Sequence, residues 1–468
     1  MDNRTNQTFE TDWLGSEPVY YNERTGAVSR QIHDVIDPTH IELHPEGFNN
    51  YLAFGYSAFG QTPLRDIKYL PHSSRIEKTS DGISVTSLPD IAATHLSSTT
   101  SEADALDRFA VAVASWEKSF TGEIVLPLSG GFDSRLLNHF ITDKQRVRAF
   151  TYGTSEPPAW SFEVVNARAI ATALSEQWER IDLIDFFSRI DDWERLYGPA
   201  THAHGMYQLE FFSRVKNHVS PNAQVLSGII GDAWAGSVKI PDITAPSELT
   251  PLGYSHGIHA DVSASLLRSP DDLRQTYFAA HHDRLRDPRW RVLESMRFKI
   301  VLLSYLLVVP HSLGLPTWSP FLIPEVALGM LTIDPTRRAN RQWQRDFFAK
   351  YPELNVERRL FKDRKNTLNL QALRTQKPLP PLQISVLGEY VKPAYIEWIN
   401  TTLARAPKTL AYKRLRSLPA SIFYLFPGIH TLPSRLGLDP YTLKSEESKA
   451  LNAYLVLHPI QTVLNMRR

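Results

Sequence analysis

Between Glu123 and about Ser237, short apolar runs alternate with stretches of helical spacing. The runs EIVLPL, VRAFTYG, WERIDL and QVLSGII read as strands. Helices are expected to start near Asp133, to run from Glu163 to Leu174, and to cover Gln208 to His218. This is the pattern of a parallel sheet with helices on its faces, so the expected fold class is α/β. Just before it, Glu102 to about Phe120 repeats apolar residues at helical spacing. Residues 40–90 show β-like alternation in YLAFGY, IKYLP and RIEKTSDGISVTS, around the turn Gly60-Gln61-Thr62-Pro63. After Pro241 the pattern becomes mainly helical, with proline-rich loops. The most apolar run, Ile300 to Pro310, reads as one buried helix and is shorter than the roughly 20 residues a membrane span needs. The chain thus divides into a reduced β-rich N-terminal region (1–100), an α/β region (101–370) and a helical C-terminal extension (371–468).

Composition narrows the function. A length of 468 residues favours two or three domains. The 51 Lys and Arg balance 50 Asp and Glu, so no global field draws the chain to nucleic acid or to an anionic membrane. A small-molecule partner is expected. The absence of cysteine excludes disulfides, zinc thiolates and thiol nucleophiles. The segment MDNRTNQTFETDW lacks the basic and apolar parts of a secretory signal, and the expected location is cytoplasmic.

The chemistry concentrates in LPLSGGFDSRLL, from Leu126 to Leu137. An apolar strand leads into Ser129, Gly130, Gly131, Phe132, Asp133 and Ser134, and a helical pattern follows. Adjacent glycines let several backbone N–H groups converge on one anion, and the following helix aims its positive end at the same point. Two serines add hydroxyl donors, and Asp133 is an oxygen ligand suited to Mg²⁺. Gly-Gly with a Ser or Asp also suits a plain strand-to-helix turn; the full SGGFDS between strand and helix favours the phosphate cradle. No lysine occupies the loop, so γ-phosphate transfer of the Walker type is not supported.

SGGFDS resembles the signature loop, SGGxDS, of the asparagine synthases and related proteins of the N-type ATP pyrophosphatase superfamily. Further segments are similar: Tyr51 to Glu77, TYG at 151–153, Phe162-Glu163 with its helix, VLSGIIGDAWAGS at 225–237, and SPFLIPE at 319–325. The resemblance implies a parallel-sheet ATP-pyrophosphatase (adenine nucleotide alpha hydrolase-like) domain. It implies that Leu128 to Ser134, with Thr151 and Gly228, bind ATP, and that Asp133, Asp232 and Glu163 hold Mg²⁺. It further implies that Lys362 or Lys365, within RRLFKDRKN, offsets charge during adenylation. From the residues alone, Glu163 also suits a helix N-terminus and Asp232 a turn, and the basic cluster also suits a solvated helix end. The activity implied is an ATP-dependent ligase that adenylates a carboxylate, an amino acid or sugar uronate, and transfers it to ammonia or an amine. The alternative is a degenerate nucleotide-binding protein in a biosynthetic pathway.

The chain also departs from that pattern. No cysteine is available to hydrolyse glutamine, so nitrogen is expected from another source. Ile229 and Ala233 stand where the family carries acidic residues, and Trp318 and Ile323 replace a basic and an acidic residue around PFL. His202 and His204 form an H-x-H pair without further ligands, and are expected to be structural or exposed.

Overall fold

The computed structural model describes residues 7–79, 82–253, 257–355, 363–364, 366–405 and 446–467. The N-terminal region contains two small antiparallel sheets. In one, β1 (Gln7–Glu10) pairs with β5 (Ser74–Thr79), which pairs with β6 (Gly82–Ser87). In the other, β2 (Tyr20–Asn22) lies between β3 (Val28–Ser29) and β4 (Ile67–Tyr69). Between them the segment holding YLAFGY is not a strand. It forms the helix Pro45–Phe54, with Pro45 in the first turn, the His44 ring accepting from the Gly47 N–H at 3.0 Å, and Gly55 closing it at φ +78°. Phe48, Tyr51 and Leu52 fall on one helical face and enter the main core. The end signals, rather than the alternation, decide this segment.

The central sheet has the order β11-β10-β7-β8-β9, and all its pairs are parallel. Its strands are β7 (Ile124–Pro127), β8 (Val147–Thr151), β9 (Gln177–Arg180), β10 (Gln224–Leu226) and β11 (Thr317–Trp318). The helices Glu102–Lys118, Phe132–Phe140, Phe162–Ala173 and Tyr207–Lys216 fall where the periodicity predicts them. The expected mixed α/β fold with a parallel sheet is therefore present. Strand alternation divides the interior. Val125, Phe150 and Val225 face one core, while Ile124, Leu126, Val147, Ala149 and Leu226 face the other. Both faces are covered, as a parallel sheet requires.

Two elements differ from expectation. The run Ile300 to Pro310 is not one buried helix but the junction of the helices Pro288–Leu303 and Tyr305–Ser312. The Ser304 hydroxyl donates back to the Val301 carbonyl at 3.0 Å, a bond that bends helices. Its apolar side chains split between the clusters, Val301 and Val309 in one, Leu303, Leu306 and Leu307 against the other. Edge strand β11, only two residues long, has no periodicity to announce it. One core joins Tyr20 and Tyr51, the sheet residues Val125 and Phe150, and Leu451 to Leu464 of the helix Glu446–Asn465. Among the described residues no helix is long and apolar enough to cross a membrane.

Candidate functional site

The strand order defines where a ligand can sit. The chain runs from β7 outward through β8 to β9, then returns to the other side of β7 to place β10 and β11. The connections leaving β7 and β10 therefore diverge, which opens a crevice beyond their carboxyl ends. Leu128 to Ser134 leaves β7, and Ser227 to Asp232 leaves β10. The loops touch: a Cβ on Gly228 would lie 3.8 Å from the Asp133 Cβ and 4.0 Å from the Ser134 nitrogen.

Within the first loop, Leu128 is fully buried and its N–H donates to the Phe150 carbonyl at 2.9 Å. The Thr151 hydroxyl donates to the Leu128 carbonyl and accepts from the Trp178 indole at 3.1 Å. Both residues thus fix the strand end, and the Thr151 hydroxyl is already engaged there. Gly130 has φ +67°, and a Cβ there would lie 2.2 Å from the Asn166 Cβ. Glycine is required on both counts. Gly131 opens the helix Phe132–Phe140, which has no side-chain cap. The Ser129 and Ser134 hydroxyls lie 3.2 Å apart, and Ser129 accepts from the Gly131 N–H at 3.3 Å. The buried Arg135 braces the loop from behind, donating to the carbonyls of Leu354 at 2.9 Å and Gly131 at 3.4 Å. Uncapped N–H groups at a helix start beside two hydroxyls make a site for an anion.

Asp133 is the electrostatic anomaly of the crevice. Its side chain is 20% exposed, and its Oδ1 is buried without a hydrogen-bond partner. Burial, and then the negative charge of Asp232, push its carboxyl up to about 7, while Arg341 pulls the other way from 3.8 Å. Asp232, in the short helix Gly231–Ala235, accepts from the Ser237 hydroxyl at 2.7 Å. Two neighbouring carboxylates, one with an orphaned oxygen, fit a divalent cation. Mg²⁺ commonly takes one or two carboxylates and completes its shell with water and substrate phosphates.

In comparisons with known proteins, no family model and no curated protein matches this chain.

The remaining expected residues are placed differently. Glu163 does not join the aspartates: its carboxylate accepts from the hydroxyls of Ser161 and Thr154 at the start of its own helix. Among the described residues no group of three or more His, Asp or Glu could hold a metal. Lys362 and Lys365 lie outside the described residues. Their neighbour Asp363 pairs through its backbone with Trp160 and Phe162, at 2.8 and 2.7 Å. His202 is buried and its Nδ1 accepts from the His204 N–H at 3.3 Å, a structural arrangement. Ile229 of the second loop and Ala233 of the short helix that follows it are buried apolar residues.

Sequence reasoning missed the cations. The guanidinium groups of Arg341 and Arg345 lie 5.0 and 5.5 Å from the Phe132 ring centroid, beside the loop. They come from a segment about 200 residues further along the chain, and Asn340 and Arg341 both adopt positive φ, 53° and 58°. Lys299, on the helix Pro288–Leu303, was missed too. Burial pulls its ammonium below the usual lysine range, and Asp232 opposes that shift. The positive-φ pair Asn340 and Arg341, beside the first loop, is not visible in the amino-acid letters.

Proposed function

We propose that the protein is an ATP-dependent ligase that adenylates a carboxylate and joins it to ammonia or an amine, in a domain of the ATP-pyrophosphatase kind. The observation that carries this reading is Asp133, within the uncapped first turn of the helix Phe132–Phe140, close enough to feel the charge of Asp232 in the loop leaving β10, at the switch point of the sheet. Asp133 and Asp232 would hold Mg²⁺, which supplies positive charge against the ATP phosphates. The backbone of Gly130 to Asp133 and the hydroxyls of Ser129 and Ser134 would bind pyrophosphate oxygens, with Arg341 and Arg345 beside them. No lysine in the loop clamps the terminal phosphate, so the α-phosphorus is the bond-forming centre. A carboxylate oxygen bonds to it and pyrophosphate leaves; the amine nitrogen then bonds to the acyl carbon, loses a proton, and AMP leaves.

A second reading, a nucleotide-binding protein without turnover, draws on the buried Ile229 and Ala233 at positions where the resembled family has carboxylates. One assay separates the two. Incubation with MgATP, ammonium and a panel of amino acids and uronic acids is expected to yield AMP and pyrophosphate, with carboxylate-dependent exchange of labelled pyrophosphate into ATP. Formation of ADP and phosphate overturns adenylation, and ATP binding without turnover on any carboxylate supports the second reading.

A further inference from the structure

A cavity of about 1310 Å³ is lined by Val238 to Ile240, a few residues beyond the second loop, and by Lys299 of the helix Pro288–Leu303. It is larger than the roughly 300–1,000 Å³ that usually encloses a drug-sized ligand, and far more than a free amino acid would fill. Phe54, Val238 and Ile240 make parts of its wall apolar. Tyr395 and Trp398 also line it, with ring centroids 5.4 Å apart and planes 16° from parallel. The Tyr395 hydroxyl is fixed by accepting the Asp261 N–H at 3.0 Å. His259, Asp261 and Asn452 supply polar groups among the lining residues. Flat aromatic faces together with scattered polar groups suit a hydroxylated ring that has one apolar face.

Three lysines line the same cavity, and they are not equivalent. Lys239 donates to Asn340 at 3.0 Å, and Lys449 pairs with Glu446 at 2.9 Å. Lys299 is half-buried and forms no hydrogen bond or ion pair within the described residues, although it lies near enough to Asp232 to feel its charge. A half-buried ammonium with no hydrogen bond or ion pair among the described residues is costly to maintain, and an anionic ligand relieves that cost. Lys299 thus lines the cavity while also feeling the charge of Asp232.

We infer that this cavity receives a carboxylate-bearing sugar of uronic acid glycoside size, and that Lys299 is the residue that positions its carboxylate. The fate of that carboxylate rests on the adenylating reading above; its binding does not. The sugar ring lies against Tyr395 and Trp398, and its carboxylate is directed toward Lys299.

The test is calorimetric titration without nucleotide, using phenyl β-D-glucuronide and its uncharged counterpart phenyl β-D-glucoside. Wild-type protein is expected to bind the glucuronide at least about tenfold more tightly, the scale of one buried charge-assisted contact. Lys299→Met should bring the glucuronide down to the glucoside's affinity, and Trp398→Ala should weaken both together. Equal wild-type affinities, no binding of either probe, or discrimination that survives Lys299→Met overturns the inference. If Lys299→Met fails to fold, the wild-type comparison and Trp398→Ala still decide. ADP formation alongside normal glucuronide binding would overturn adenylation and leave this pocket standing. AMP formation on aspartate at an unchanged rate in Lys299→Met would do the reverse.

Discussion

The loops leaving β7 and β10 meet at one crevice, yet they are built on opposite plans. The first, Leu128 to Ser134, presents two hydroxyls, a carboxylate and uncapped N–H groups, and glycine takes its only positive φ. The second, Ser227 to Asp232, is lined by Ile229 and Ile230, both nearly buried, and Ile230 itself adopts φ +52°. A β-branched residue in that region is strained. The first loop is thus shaped to receive something, whereas the second is packed to hold one carboxylate, Asp232, against it. Polar residues at a turn and apolar residues at a turn have different uses, and their contrast locates the ligand more sharply than either loop does alone.

The largest expected effect tests the first loop. Asp133→Asn should weaken MgATP binding, measured by calorimetry, by at least about 100-fold, the scale of losing a charged contact in a dry site. Its melting temperature at pH 8 without metal should equal or exceed that of wild type, because the variant removes a carboxylate that resists ionisation. Gly130→Ala comes next. Its Cβ meets the Asn166 Cβ at 2.2 Å and the backbone is left-handed, so a loss of about 2–4 kcal/mol in denaturant unfolding is expected.

The pH dependence follows from Asp133. Its carboxyl ionises only at about 7 in the folded chain, against 3.8 ordinarily. Between those values the folded state holds more protons than the unfolded state, so stability falls as pH rises through the window and levels off above pH 7. The metal-free protein should lose on the order of 1–3 kcal/mol there through this group. Mg²⁺ should stabilise it more above pH 7 than below, because cation and proton compete for one carboxyl. Asp232→Asn should move the end of that window to lower pH by about one unit, since it removes the nearby negative charge. An unchanged window would show the two loops to be electrostatically independent. The smallest effect belongs to the second loop. Ile230→Gly should change stability by about 1 kcal/mol or less, with relief of strain offsetting lost burial, whereas Ile229→Ala should cost about 2–4 kcal/mol.

Much of the scaffold was legible because it is local. The strands of EIVLPL, VRAFTYG, WERIDL and QVLSGII announce themselves by apolar runs between turn residues, and SGGFDS lies within one strand-to-helix turn. What was missed depends on distance or on end signals. Pro45 and Gly55 turn an alternating segment into a helix. The two residues of β11 gain their order from pairing with Val225 and Leu226. Arg341 reaches Asp133, and Lys299 approaches Asp232, across separations that no local period encodes. Glu163 was legible as a helix-start acid, and its bonds to Ser161 and Thr154 keep it there.

The helix Glu446–Asn465 carries a consequence for how the protein is made. It shares one core with Tyr51 and with Val125 of the central strand, and within that core the His458 ring meets the Glu194 carboxylate at 2.5 Å. At ribosomal speeds of about 5–20 residues per second, roughly 15–60 s separate the synthesis of β7 from that of this helix. During that interval the helix Pro45–Phe54, the turns of residues 198–206 and the helix Pro393–Arg405 lack the helix they pack against, and apolar residues such as Tyr51 and Ile396 wait for a partner not yet made. A premature stop before residue 446 would therefore release no smaller folded protein, but a chain with an open hydrophobic face, a substrate for chaperones and proteases.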